Sequence, residues 1–123
     1  MASLNTFGAI MSHAIKLEAR LGDWYGSIGE GGKARAADKR RRKLERARRE
    51  NVLEITLEPI RGLDAADYAL ELDDGTAPCQ AAAAEVAARF YADVAPKINV
   101  RAAQRALERC GKEHAALASG ATG

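Results

Sequence analysis

Cys110 and His114 stand four residues apart in the stretch LERCGKEHAAL, residues 107–117, a spacing that stacks a thiol and an imidazole on one face of a helix. A thiolate and an imidazole are the beginning of a zinc or soft-metal site, although a closed site needs a fuller ligand set than these two. The commoner role for an inward histidine is an interior side chain satisfied by hydrogen bonds. Glu18 is the third residue of interest, because a carboxylate on the flank of an apolar stripe must find a partner or bear its desolvation cost. His114, with Cys110 as an additional donor, is therefore a candidate ligand for zinc or another soft metal, and Glu18 is a carboxylate in search of a partner. His13 has no acidic or thiol neighbour one turn on, where Lys16 and Leu17 stand. GEGGK, residues 29–33, lacks the spacing and the preceding strand of a phosphate loop, so its glycines serve a turn. No nucleophile–base spacing assigns a catalytic residue, and the sequence leaves open whether the chain is an enzyme.

A second candidate is electrostatic. Net charge is only +2, but residues 33–49 carry ten Lys/Arg against Asp38 and Glu45, a local charge of +8, while the remainder carries −6. Lys39, Arg40, Arg41, Arg42, Lys43, Arg46 and Arg49 form a basic patch that could meet nucleic acid or another anionic partner. Consecutive charges on a helix point all around it, however, and the run holds no aromatic residue for base stacking. A solvated helix face is the plainer interpretation, and any nucleic-acid binding should be weak.

Positioning these residues requires helices. At 123 residues the chain is expected to be one domain, residues 1–123, and 47% hydrophobic content with 5% aromatics and abundant alanine points to an all-α fold. Apolar residues at alternating spacings of three and four predict a first helix over about 5–28 through Phe7, Ile10, Ala14, Leu17, Leu21 and Trp24. Asn5 or Thr6 would cap it, and the glycines of GSIGEGG, residues 26–32, would break it. A second helix is expected over about 34–58, inward at Ala37, Leu44, Ala47, Asn51 and Ile55, with Pro59 ending it. Residues 60–78 read as a crossover with a short helix near 64–72. A third helix over about 79–95 stops at Pro96, and a fourth over about 99–118 lines up Ala103, Leu107, Cys110, His114 and Leu117 before a frayed tail, 119–123. No apolar run approaches the roughly 20 residues of a membrane span, and no basic-then-apolar leader is visible. The expectation is a soluble, cytoplasmic chain with reduced cysteines.

The chain also repeats itself. LERARRENVLE, residues 44–54, echoes LERCGKEHAAL at an offset of 63, and Trp24-Tyr25 matches Phe90-Tyr91 at an offset of 66. The pattern is helix, short break, helix, long crossover, then the same again. In that order TFGAIMSHAIKLEARLGDWY (6–25), AAEVAARFYADVAPKI (83–98) and LERCGKEHAAL resemble the first, third and fourth helices of the ferritin-like superfamily, and in particular its rubrerythrin-related bundles. The resemblance implies a ferritin-like four-helix bundle of two helical hairpins joined by a long crossover. It also implies a dimetal site built from one Glu on each of two helices and Glu-x-x-His on each of the others. Of those six positions only two keep a ligand, Glu18 and His114. Arg48 and Asn51 stand in the second helix, Ala84 in the third with Glu85 turned aside, and Gly111 in the fourth. The resemblance further places Arg48 beside Glu18, where a fixed cation would substitute for the lost metal charge.

Two function classes follow. One is a bundle that has lost its diiron chemistry and acts as a structural or interaction module, expected to be a homodimer with no membrane partner. The other is a metal-binding or redox protein keeping a reduced site around Glu18 and His114.

Overall fold

The computed structural model describes residues 4, 6–50, 63–73, 75–98 and 101–119. The described residues form an all-α four-helix bundle of two hairpins: α1 (Phe7–Ser27), α2 (Gly31–Glu50), α3 (Ala77–Val94) and α4 (Arg101–Ala118). α1 packs chiefly on α2 and α3 on α4, while α2 also lies against α4.

Each boundary has a local cause. Thr6 caps α1 by accepting from the Ala9 amide at 3.0 Å. The break before α2 is much shorter than the glycine content predicts, since α1 continues through Gly26 and α2 already begins at Gly31. Only Gly29 needs the left-handed backbone, with φ +82°. It places the Glu30 amide on the Tyr25 carbonyl at 2.8 Å and its own amide on that of Gly26 at 3.3 Å, the paired bonds of a Schellman turn. α3 starts at Ala77 because Thr76 accepts from the Cys79 amide and Pro78 sits in the first turn, where its missing N–H costs nothing. The predicted end of α2 near 58, together with Asn51, Ile55 and Pro59, lies outside the described residues.

The crossover carries a short 3-10 helix, Ala65–Tyr68, where the sequence suggests a longer one. Tyr68 anchors it on α3, donating its hydroxyl to Asp93 at 2.7 Å and meeting the Phe90 ring edge-on at 5.3 Å. The core contains the expected stripe residues of α1, α3 and α4. Ile28, Val86 and Leu117 are exceptions, being only half-buried. No described helix is long and apolar enough to cross a membrane.

Candidate functional site

Among the described residues, an acid, a guanidinium and an imidazole are buried within this core: Glu18 at 0% exposure, Arg40 at 3% and His114 at 0%. They meet at one carboxylate. Glu18, midway along α1, accepts from Arg40 Nε of α2 at 2.8 Å on Oε1. On Oε2 it accepts from the Tyr91 hydroxyl of α3 at 2.5 Å and faces His114 Nε2 of α4 at 2.8 Å. All four helices thus contribute one group. An ionised carboxylate accepts only, which assigns Nε2 of His114 as the protonated, donating nitrogen. The His114 ring lies parallel to that of Tyr91, centroids 5.7 Å apart.

Burial would raise the Glu18 carboxyl, but the hydrogen bond and charge of His114, the charge of Arg40 and the Tyr91 bond outweigh it and hold it below the ordinary value. Burial likewise opposes the Arg40 charge, and Glu18 and Glu113 overcome it. Arg40 also reaches out of the core, its Nη1 bonding Glu113 Oε1 on α4 at 2.9 Å. One guanidinium therefore ties α2 to both α1 and α4. Burial, then the charge of Glu18, pushes the Tyr91 phenol well up, so it remains a donor.

The expected cation is in the wrong place in the sequence reading. Arg48 is exposed near the end of the described part of α2, and Arg40, two turns earlier, takes Glu18. The reason is register: Arg40 falls three residues after Ala37 and four before Leu44, on the buried stripe, whereas Arg48 follows Ala47 by one and is rotated off it. Arg40 is thereby tied into the core and is not part of the exposed basic face. Three other members of the basic patch are engaged within their own helix, Arg41 with Asp38 and Glu45, Arg42 with Asp38, and Arg46 with Glu50. Lys39, Lys43 and Arg49 are exposed.

Of the candidate metal ligands, Glu18 and His114 are brought together, but as partners of each other. Cys110 is buried nearby, and burial, with the Glu18 charge, pushes its thiol up to about 12, which keeps it protonated at neutral pH and a poor ligand or nucleophile. Among the described residues no three His, Cys, Asp or Glu side chains gather to hold a metal. The donor set does not fit a dimetal centre, because both oxygens of the sole central carboxylate are taken by fixed donors, one a permanent cation. Ala84 is buried with no donor to offer, and Glu85 is exposed. His13 is half-buried against Phe90 at 4.8 Å, and burial, Lys16 and Arg20 lower its pKa.

Gly111 has a positive role here. A Cβ on it would lie 2.9 Å from Tyr91 Cβ, so α3 and α4 approach at this point only because the side chain is missing. Tyr91 then reaches Glu18. From the sequence Tyr91 stands out only as part of a repeat, with no role for its hydroxyl. The signal was available in the Trp-Tyr/Phe-Tyr repeat, since a tyrosine on a buried stripe needs a hydrogen-bond partner.

Comparison of the chain with family models, curated proteins and solved structures finds no match.

Proposed function

We propose that this chain is a non-catalytic, ferritin-like interaction module in which an arginine-centred ion network stands where a dimetal site would be. The observation that carries this reading is the 2.8 Å contact of Arg40 Nε with Glu18 at the centre of the bundle, completed by Tyr91 and His114. A permanent cation holding the central carboxylate supplies the charge balance a metal would supply, without an open coordination position or a redox couple. The network fixes the relative positions of all four helices, which suits a scaffold.

The module is proposed to pair with a second copy of itself. A groove of about 740 Å³ between α3 and α4 is lined by Ala88, Ala92 and Ala115 together with Glu85, Glu108 and Lys112. A face carrying small apolar residues and both signs of charge can meet itself about a twofold axis. Sedimentation equilibrium tests this, with Lys112→Glu expected to weaken the pairing; a monomer at every concentration refutes it.

The central claim is tested by loading the protein anaerobically with Fe²⁺ and measuring bound metal. Substoichiometric metal and no carboxylate-bridged spectroscopic features are expected. Two equivalents per chain would overturn the reading.

A further inference from the structure

On the outer side of the ion network, α2 and α4 enclose a cleft of about 200 Å³ lined by Arg40, Lys43, Arg105, Arg109, Cys110 and Glu113. Four cations face one carboxylate there. Arg40 lines the cleft from the buried side, being only 3% exposed, and its Nη2 has no hydrogen-bond partner among the described residues although its Nε and Nη1 are both engaged. Arg40's own charge is balanced by Glu18 and Glu113, whereas Lys43, Arg105 and Arg109 make no ion pair among the described residues. Of the cations on α2 outside the cleft, Arg41, Arg42 and Arg46 are paired within the helix, whereas Lys39, Arg48 and Arg49 are exposed. What sets the cleft apart is that it gathers unneutralised charge from two helices at one place.

We propose that this α2/α4 cleft binds a phosphate-class oxyanion, a single phosphoryl group either free or on a small molecule. Guanidinium forks match the geometry of such an oxyanion and bond it through charge-assisted contacts, with lysine adding a mobile point charge. The volume suits one phosphoryl group rather than a strand of nucleic acid. Arg105 and Arg109, four apart on the exposed side of α4, line the cleft together with Lys43 of α2, and the buried Arg40 lines it as well. The site does not depend on the absence of iron chemistry, and it is therefore measured on chelator-treated protein.

The experiment is calorimetric titration with inorganic phosphate at low ionic strength, repeated with a nucleoside monophosphate and with a duplex oligonucleotide. Saturable binding of phosphate at one per chain is expected, weakening with added salt. A larger gain for the nucleoside monophosphate identifies a small-molecule phosphate as the source, and equal affinity identifies the free ion. Arg105→Gln with Arg109→Gln, both exposed and expected to fold, should lower affinity about tenfold or more, a loss of about 1.4 kcal/mol per tenfold step. Arg41→Gln with Arg46→Gln should leave it unchanged. Absence of saturation at millimolar phosphate overturns the proposal. So does equal loss in the control variant, or duplex binding that phosphate does not compete away, because either places the anion on the basic helix as a whole.

Discussion

Replacing Arg40 by methionine keeps most of the buried stem and removes the charge. Glu18 is 0% exposed, and among the described residues Arg40 is its one ion-pair partner besides His114, so Arg40→Met leaves a carboxylate in the core without its fixed counter-charge. Breaking a buried pair in this way costs about 3–5 kcal/mol, a large share of the roughly 5–15 kcal/mol that stabilises a typical domain. Glu113 is 44% exposed and can hydrate when released, so it adds little to that figure. Arg48→Met should lie within about 0.5 kcal/mol of the parent, because an exposed arginine outside the network contributes through solvent-screened charge alone.

Urea unfolding followed by circular dichroism measures both variants, provided the slope with denaturant stays constant. Glu18→Gln completes a double-mutant cycle while keeping an oxygen for Tyr91 and His114. The double variant should recover about 2–3 kcal/mol relative to the sum of the single losses. Replacing Glu18 by leucine is a poorer test, since it orphans the Tyr91 hydroxyl and His114 Nε2 at about 1–3 kcal/mol each. Arg40→Met with the stability of the parent, together with zero coupling to Glu18, would refute the idea that this cation holds the centre of the bundle.

Acid should destabilise the protein in a defined direction. Glu18 has a folded pKa below its unfolded value, so its stabilisation is present above the ordinary carboxylate range and is lost as pH falls through the lower, folded value. A urea series from neutral to acid pH should show this limb, and Glu18→Gln should flatten it. Gly111→Ala should destabilise by about 1–3 kcal/mol despite the better helix propensity of alanine, because the new methyl meets Tyr91 Cβ at 2.9 Å; Gly26→Ala, which meets nothing within 4 Å, is the thermal-melt control. Duplex DNA should bind weakly and without sequence preference, with a shallow dependence of log K on log salt, since Arg41, Arg42 and Arg46 already hold carboxylates; filter binding across a salt series checks this.

The hairpins, the stripes of α1, α3 and α4, and the inward placement of His114 and Glu18 are all legible in periodicity, because apolar spacing reports helix faces directly. The identity of Glu18's cation was not. Eight of the residues from Lys39 to Arg49 are basic, and composition cannot choose among them. Register narrows the choice: Ala37 and Leu44 leave a gap of seven, and the residues between them at helical spacing are Arg40 and Arg41. The short turn at residues 28–30 was obscured for a different reason, since most glycines of GSIGEGG sit inside helices and only Gly29 uses its conformational freedom. Pairing between Arg40 and Glu113, and the cleft behind it, depends on how α2 meets α4 and has no one-dimensional signature.

The internal repeat explains why the network is asymmetric. At an offset of 66 Tyr91 corresponds to Tyr25, and Ala84 corresponds to Glu18. Tyr91 bonds Glu18 across the bundle, whereas the equally buried Tyr25 hydroxyl has no hydrogen-bond partner among the described residues. The acceptor that would stand to Tyr25 as Glu18 stands to Tyr91 is replaced by an alanine methyl. The same holds for the second and fourth helices, where Gly111 answers Arg48 and His114 answers Asn51 at an offset of 63. One half carries the carboxylate, and the other carries the imidazole and, through Gly111, the room for the tyrosine that bonds it. A carboxylate in each half would give the core two anions for Arg40 to balance. A single buried carboxylate is matched to a single buried arginine, so alanine at position 84 and the burial of Arg40 are two sides of one electrostatic solution.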